Sequence, residues 1–442
     1  MFGDSPLPAA TMRVLVLGAY GLIGAGVSRH LRGYGYAVTG LGRNASTARR
    51  VLPELNWIVR DMAAMRSPDE WLSVIDGFDA VVNCAGALQD GPRDALQAIH
   101  VNAVTALARA CSERNVLLVQ ISAAGVSPEA STPFMRTKAQ GDAAIRAIGG
   151  DYTILRPGLV IAPSAYGGTA LLRMLAAFPL VQPIAHPDAP VRTISLYDLA
   201  TAVKMAIRGD LGSQQTIDLV EDKSRSLGAV VAAMRQWLGF APARAQIVMP
   251  PWVTRFVSFC ADGLGRLGWR SPLRHTAMEV MQDGVDGDPS CWRNLTSRII
   301  SPFEATLAAT SARTEDRIAA RLALLLPFMV GALFFLWAMS GVVGFWQAEA
   351  ASGVLTAGGW PDGLAKGAVL LLSAVDLLLA ALLLVRRFAA LACLLMGAVG
   401  AVYLVAASVV TPWLWTDPLG SLVKIVPAVV LALACHALLQ ER

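Results

Sequence analysis

Long apolar runs after Arg321 constrain the fold of this chain more than any other feature. Four runs there contain at most one Asp, Glu, Lys or Arg each: Leu322–Trp346, Gly367–Val385, Phe388–Val410 and Leu419–Leu439. Each has about 19 residues or more, which at a rise of about 1.5 Å per residue spans a hydrocarbon core of roughly 30 Å. These runs account for a composition with 55% hydrophobic and only 16% charged residues. We therefore predict an all-α bundle of four transmembrane helices at the C-terminus.

Arginines between the runs indicate an orientation in the membrane. They occur before the first run, between the second and third, and at the chain end: Arg313, Arg317, Arg321, Arg386, Arg387 and Arg442. The other two connections, 349–362 and 411–418, carry acids and little positive charge. Residues 1–11 lack the basic and apolar regions of a signal peptide. By the positive-inside rule we expect a protein integral to the cell (inner) membrane, with the N-terminal domain and the C-terminus cytoplasmic.

Two charged residues fall within the predicted spans. Asp376 is near the middle of the second run and Lys424 is in the fourth. Charges inside a membrane are costly, so each is a candidate for function. One hypothesis is that they pair with each other or with water inside the bundle, for structure alone. Another makes the bundle a carrier or redox-coupled pore, with the preceding domain as a sensor.

A glycine pattern near the N-terminus predicts a phosphate-binding turn. The apolar strand 12–17 ends in a GxxGxxG pattern, and helical spacing follows over 25–31. In such a junction the glycines allow a tight turn, close approach of a diphosphate and close helix packing, while the helix N-terminus attracts anions. We therefore expect a dinucleotide to contact Gly18, Tyr20, Gly21, Leu22, Ile23 and Gly24.

The end of the second strand, 37–41, bears on which dinucleotide binds. Sites that prefer NAD usually carry an acid here that bonds the ribose 2′-hydroxyl. This chain has Gly42 and then Arg43. A guanidinium in place of an acid favours a 2′-phosphate, so NADP(H) is favoured, with NAD(H) as the alternative. Arg43 is otherwise interpreted as a solvated turn residue.

The third and fourth strands, 57–59 and 80–83, add further candidate contacts. Asp61 follows the third strand, where it is placed to meet the adenine edge. Small residues follow the fourth strand and leave room for the cofactor: Cys84, Ala85 and Gly86.

The order and spacing of these motifs over 12–309 resemble the short-chain dehydrogenase/reductase superfamily, in its extended or atypical branches. Later matching motifs are Asn102 in HVNAVTALARAC, Ser122 after a fifth strand at 117–121, Lys138 in TKAQGD, Pro157 and Gly158 in ILRPG, the run 194–200, and PFEATL at 302–307. The resemblance implies an α/β fold with a doubly wound parallel Rossmann sheet and a small substrate lid. It also implies that Asn102, Lys138, Pro157 and Gly158 bind the cofactor and that Lys138 and Ser122 are catalytic.

The resemblance breaks at the catalytic pair. The superfamily uses Tyr-x-x-x-Lys, in which the lysine binds the nicotinamide ribose and lowers the tyrosine pKa. Here Phe134 stands four residues before Lys138, and a phenyl ring cannot transfer a proton. Ala123 and Ala124 follow Ser122, at positions where extended members often carry the active hydroxyl.

Three hypotheses follow from this break. Lys138 itself acts as general acid or base, as in atypical members that reduce phenolic substrates. Alternatively, Tyr166 in SAYGG supplies the missing hydroxyl. In the third, the domain holds NADP(H) without reducing a substrate, as a resemblance to the atypical branch with an accessory subunit of respiratory complex I implies. The NmrA-like branch is a further resemblance.

The segment between 158 and 301 corresponds to the region that closes over substrate in this superfamily. The motif at 250–253 and the apolar helix 256–267 suggest a hydrophobic lid, and 263–269 suits the membrane interface. On a membrane stem, such a lid favours an apolar ligand such as a quinone or an isoprenoid. The alternative is that this apolar surface is core or membrane-facing packing.

The segment WTDPLGSLVKIVP at 415–427, with the four-run layout, resembles the DoxX-like membrane family over the C-terminal part of the chain. We thus divide the chain into 12–310, a linker 311–321, and 322–440. Six scattered cysteines form no CxxC pair and no metal-ligand spacing, so no metal is expected. No basic cluster indicates nucleic acid, despite a net charge of +5. Expected partners are the dinucleotide, the bilayer and an apolar substrate or a respiratory complex.

Overall fold

The computed structural model describes residues 12–91, 95–165, 167–269, 271, 273–418 and 420–440. The chain divides into two compact units, one of residues 1–259 and 272–320 and the other of residues 260–271 and 321–442. The segment 260–271 groups with the C-terminal unit. The division into 12–310, 311–321 and 322–440 stays a prediction.

The first unit contains a seven-stranded parallel sheet. The strands of the described chain are β1 Arg13–Leu17, β2 Ala37–Gly42, β3 Asn56–Val59, β4 Ala80–Asn83, β5 Leu117–Ile121, β6 Tyr152–Pro157, β7 Leu159–Ile161, β8 Val181–Ile184, β9 Pro190–Val191, β10 Thr193–Ser195, β11 Gln215–Leu219, β12 Arg225–Ser226 and β13 Ala245–Val248. The sheet order is β11-β6-β5-β4-β1-β2-β3. This order contains the doubly wound arrangement, which places a ligand crevice where the strand order reverses between β1 and β4.

Helices cover both faces of this sheet. The helices before residue 310 are α1 Leu22–Gly33, α2 Ala45–Val51, α3 Pro68–Ile75, α4 Ala103–Arg114, α5 Pro133–Ile148, α6 Gly168–Ala176, α7 Leu196–Ile207, α8 Leu227–Trp237, α9 Pro251–Arg266, α10 His275–Asp283, α11 Ser290–Thr296 and α12 Phe303–Ala309. In β1, Val14 and Val16 enter one core, and Leu15 and Leu17 enter the other. Successive side chains of a strand alternate between faces, so a run buried on both faces reads as continuously apolar.

The C-terminal helices are α13 Thr314–Trp346, α14 Ala348–Ala357, α15 Asp362–Leu384, α16 Arg386–Val410 and α17 Ile425–Gln440. Among the described residues, α13, α15 and α16 are long and apolar enough to cross a membrane. The fourth predicted run yields only α17, with 16 residues, so the four-span count is not confirmed. Two details differ from the prediction: the linker is helical from Thr314, and the loop after the first run contains α14.

Candidate functional site

The turn after β1 has the geometry that the glycine pattern predicts. Gly18 lies in the left-handed region with φ of +67°, and its N–H donates to the Leu41 carbonyl at 2.9 Å. A Cβ on Gly18 would come within 2.8 Å of Ala85 Cα, and one on Gly24 within 2.3 Å of the Gly18 carbonyl oxygen. Both positions therefore require glycine, because the contacting atoms belong to the backbone.

The first turn of α1 offers amide donors to an anion. Gly21 caps the helix, and its own N–H donates to the Gly18 carbonyl at 2.9 Å. Within the described chain, the N–H groups of Leu22, Ile23 and Gly24 have no acceptor, as expected in a first helical turn. No acidic residue occupies this turn. The turn therefore fits the diphosphate of a dinucleotide, held on amides at the positive end of the helix.

The Tyr20 ring occupies the space that an acidic side chain at the end of β2 would need. A Cβ on Gly42 would lie only 2.3 Å from Cε1 of Tyr20, whose ring centroid is 6.0 Å from that of Trp57. An aspartate at position 42 would therefore displace the tyrosine. Arg43 follows and is half-buried. The preference for NADP(H) over NAD(H) stays a prediction.

Two polar residues after β2 and β3 cap short helical segments. Asn44 Oδ1 accepts the Thr47 N–H at 2.9 Å and begins α2. Asp61 Oδ1 accepts the Ala63 N–H at 3.1 Å, and the Asp61 side chain is exposed. These bonds fix the backbone at the carboxyl ends of both strands. Contact between Asp61 and an adenine ring stays a prediction.

The segment after β4 is fixed by a buried amide. Asn83 Nδ2 donates to Gln120 Oε1 at 2.8 Å, and Asn83 Oδ1 accepts the Ala85 N–H at 3.1 Å. Burial raises the pKa of the adjacent Cys84 thiol to about 12, so this thiol is neutral at pH 7. Gly86 is exposed at the end of this segment. That residues 84–86 leave room for a cofactor stays a prediction.

Lys138 lies beneath Gly86. Its Nζ donates to the Ile121 carbonyl at 2.8 Å, and a Cβ on Gly86 would lie 3.6 Å from that Nζ. Burial lowers the pKa of Lys138, and the nearby Asp142 and Cys84 partly oppose this shift. A lysine whose pKa moves toward neutrality is better suited to proton transfer than an exposed one.

His100 also lies at this corner, although no sequence motif singles it out. It lies in the π-helical turn Ala98–Asn102, where its Nε2 accepts the Ala87 N–H at 3.2 Å. The ring proton is therefore assigned to Nδ1, which lies 2.9 Å from Thr137 Oγ1. Burial, aided by Lys138, lowers the pKa of His100 to about 2. The imidazole is therefore neutral and lies beside the lysine.

Ser122, the second predicted catalytic residue, is tied into a buried network. Its Oγ donates to Asp142 Oδ2 at 2.9 Å, and Arg156 Nε donates to the same oxygen at 2.9 Å. Burial raises the pKa of Asp142, although Arg156 and Ser122 favour its charged form. The serine proton is thus directed into the fold. This geometry indicates a structural role, and the catalytic role of Ser122 stays an untested prediction.

Phe134 and Lys138 lie one turn apart on α5. The Phe134 ring meets the His100 ring edge-on, with centroids 5.7 Å apart. Tyr166, the candidate replacement hydroxyl, lies outside the described residues. Asn102 is exposed at the junction of the π-helical turn with α4, and its contact with a cofactor stays a prediction.

Pro157 and Gly158 lie where β6 ends beside β11. The Gly158 N–H donates to the Leu219 carbonyl at 3.0 Å, and a Cβ on Gly158 would lie 2.5 Å from the Arg192 carbonyl oxygen. Glycine is therefore explained by backbone packing at this position. The predicted cofactor contacts of both residues are not tested by this packing.

In the second unit, Asp376 is bonded by neutral groups. Ser340 Oγ donates to its Oδ2 at 2.6 Å, and the Tyr403 hydroxyl donates to its Oδ1 at 2.8 Å. Lys424 instead precedes α17 and is exposed. The hypothesis that Asp376 pairs with Lys424 is therefore wrong. Within the residues that the structure describes, no cluster of His, Cys, Asp and Glu could hold a metal ion.

Two family models match separate parts of the chain. Residues 18–173 match a family described as NAD(P)H-binding, and residues 334–433 match the DoxX-like family. The chain joins an NAD(P)-binding Rossmann domain to a DoxX-like domain. No curated protein matches it.

Several solved structures have a similar fold. The Bordetella bronchiseptica enzyme WbmG in complex with NAD is 18% identical, with a TM-score of 0.51 over 69% of this chain and 94% of that one. The epimerase Mth375 from Methanothermobacter thermautotrophicus is 16% identical, with a TM-score of 0.53 over 70% and 94%. MoeE5 in complex with UDP-glucose and NAD is 16% identical, with a TM-score of 0.52 over 71% and 99%. At these identities the likeness establishes the Rossmann fold alone.

Proposed function

We propose that this protein is a membrane-anchored, NADP(H)-binding oxidoreductase of the atypical short-chain type. The observation that supports it most is the pairing of an open amide turn at 22–24 with Lys138 beneath Gly86. A bound NADPH would supply the hydride for such a reaction. The residues of this chain would supply binding, orientation and the proton.

Lys138 is the proposed proton donor. Its ammonium has three N–H bonds, and the Ile121 carbonyl accepts one of them. No other acceptor among the described residues is bonded to this ammonium, so its remaining donors would orient a ribose hydroxyl and protonate a developing oxyanion. The lowered pKa caused by burial makes release of that proton easier near pH 7. His100, held neutral, adds no competing charge beside the lysine.

An apolar or membrane-associated substrate, such as a quinone or an isoprenoid, suits the domain organisation. The DoxX-like domain brings apolar spans of at least 23 residues into the same chain as the Rossmann domain. We further propose that the Rossmann domain is cytoplasmic, because Arg386 and Arg387 begin α16, directly after the one-residue connection from α15. Reporter fusions after Val385 and Val410 test this orientation. A periplasmic signal at Val385 would contradict it.

A non-catalytic role is the second candidate, and Phe134 favours it. Without a tyrosine at this position, the domain would hold a nucleotide as an assembly or stability factor for a respiratory or lipid complex. Both functions require dinucleotide binding, so a binding measurement alone does not distinguish them. Reduction of a substrate distinguishes them, because only the oxidoreductase would carry it out.

The test uses the full-length protein in detergent or nanodiscs. Nicotinamide fluorescence during titration with NADPH and NADH measures binding, and loss of NADPH absorbance over a quinone and ketone panel measures reduction. We expect Lys138→Met to lose reduction by at least about 100-fold, whereas Lys223→Met, at an exposed site, should match the wild type. NADPH binding without reduction of any panel compound would favour the assembly role. Absence of both binding and reduction would remove both functions.

A further inference from the structure

The helix α9 has its large apolar side chains on the outside. Trp252, Phe256 and Phe259 are 72%, 65% and 77% exposed. Their spacings of four and three residues place them on one helix face. We call these three residues the aromatic face. Exposed aromatic clusters of this kind are uncommon on water-soluble proteins and mark an interaction surface.

The opposite side of α9 is made of small residues. Ser258, Ala261 and Gly265 are buried, again at spacings of three and four residues. A helix on the surface of a soluble protein buries its large apolar side chains and exposes polar ones. In α9 the order is reversed. The helix therefore packs through small side chains and exposes its large apolar side chains.

The C-terminal end of α9 is bonded to the turn between α15 and α16. The Arg386 N–H donates to the Leu267 carbonyl at 3.0 Å. Trp269 Nε1 donates to the Leu384 carbonyl at 2.6 Å, and the Arg386 guanidinium carbon lies 5.7 Å from the Trp269 ring centroid. Since α15 and α16 have the length of membrane spans, this turn lies at a bilayer surface, where Trp and Arg are enriched.

We propose that the aromatic face of α9 inserts into the lipid headgroup region of the leaflet on the Arg386 side. The argument is continuity: α9 runs directly into a segment that is bonded to the ends of two spans. Exposed Arg255 and Arg266 beside the aromatic face suit anionic lipid headgroups. The role does not depend on the dinucleotide site. It assigns to α9 an interfacial anchor instead of the lid expected from the sequence.

A fluorescent label tests this placement in vesicles. Full-length protein with Phe256→Cys in a Cys260→Ser background is labelled with an environment-sensitive NBD dye and reconstituted into phosphatidylcholine–phosphatidylglycerol vesicles. Arg109→Cys, at an exposed site on α4, is the matched control, and the Cys260→Ser protein alone gives the background. We expect the dye at position 256 to emit at shorter wavelength and to be quenched by lipids with a nitroxide near the headgroup. Iodide in the water should quench it several-fold less than the dye at position 109.

Two outcomes would overturn the proposal. Equal iodide quenching at positions 256 and 109 would mean that the aromatic face is in water. Protection from iodide without quenching by nitroxide lipids would mean that protein, such as a second copy of this chain, covers the face. The exposed native Cys260, labelled without a substitution in α9, should reproduce the result at position 256. This keeps the test valid if Phe256→Cys disturbs the helix.

Discussion

The phosphate turn at 18–24 and the corner at 134–138 belong to one Rossmann domain but differ in how much of the expected chemistry they retain. The phosphate turn has a left-handed Gly18, a close approach at Gly24 and, within the described residues, amides without an acceptor at the start of α1. The corner keeps Lys138 but has Phe134 where a proton-donating tyrosine is expected. A binding surface made from backbone is thus complete, while side-chain chemistry has changed.

Binding of a dinucleotide and transfer of a proton thus depend on different physical properties. Binding of a diphosphate depends on backbone amides and on the absence of Cβ atoms, so replacement of a glycine in the phosphate turn would weaken it. Proton transfer depends on one hydroxyl and on the pKa of one lysine. The buried network of Ser122, Asp142 and Arg156 still holds α5 against β6, so the scaffold of the corner survives the loss of the hydroxyl.

The largest effect is expected at the phosphate turn. In Gly24→Val the new side chain meets the Gly18 carbonyl oxygen, which a Cβ would approach to 2.3 Å. We expect NADPH affinity to fall at least about 100-fold, or about 2.7 kcal/mol, in a fluorescence titration. Gly33→Ala is the control, since a Cβ there meets nothing within 4 Å. Unchanged binding in Gly24→Val would place the dinucleotide elsewhere.

The next effect concerns the corner. Phe134→Tyr adds a hydroxyl one turn from Lys138, at the position where the superfamily has its proton donor. General acid catalysis contributes about 100-fold or more, so we expect reduction of ketones in the panel to rise by about that factor while NADPH affinity is unchanged. Phe134→Tyr combined with Lys138→Met should lose the gain. If the hydroxyl changes neither rate nor pH profile, the corner has diverged beyond this one residue.

A smaller effect is expected at the end of β2. Gly42→Asp alone should lower the affinity for both NADPH and NADH, because the new side chain collides with Tyr20. Tyr20→Ala with Gly42→Asp removes the collision and offers a carboxylate to a ribose 2′-hydroxyl. We expect the ratio of NADH to NADPH affinity to rise about tenfold in this double variant, equal to about 1.4 kcal/mol. Tyr20→Ala alone is the control. An unchanged ratio would contradict the assignment of the 2′-phosphate to Gly42 and Arg43.

Much of the fold could be predicted from the sequence because its signals are local. The strands at 80–83 and 117–121 have the predicted bounds, since buried parallel strands read as short apolar runs between polar or glycine residues. The start of α7 at Leu196 and of α12 at Phe303 also follows the predicted motifs. Glycine spacing placed the phosphate turn because the turn, the close approach and the helix start lie within seven residues.

The remaining features depend on contacts between residues that are distant in sequence. His100 lies in a π-helical turn and near Lys138, and nothing in HVNAV signals this. One hypothesis paired Asp376 with Lys424, yet the partners of Asp376 are Ser340 and Tyr403, which lie on two other helices. In α9 the apolar pattern was visible, but the pattern alone does not show which side packs. Burial of Ser258, Ala261 and Gly265 decides that question.

The smallest expected effect tests whether water is excluded from the corner at 134–138. The folded pKa of His100 is lowered to about 2 from the ordinary 6.5. Below pH 6.5 the unfolded chain therefore binds a proton that the folded chain does not, so stability rises with pH through this window and is lost as pH falls. Between pH 6.5 and 5.5 this loss is about 1 kcal/mol.

His100→Gln should remove this part of the pH dependence of unfolding, whatever its effect on absolute stability. The measurement is urea unfolding of the full-length protein in detergent, followed by labelling of Cys111, which is buried in the first unit. His275→Gln, at an exposed site, should leave the pH dependence as in the wild type. If His100→Gln and the wild type lose stability equally between pH 6.5 and 5.5, the imidazole is hydrated. The corner would then be open to water, and burial could no longer be the reason that the pKa of Lys138 is lowered.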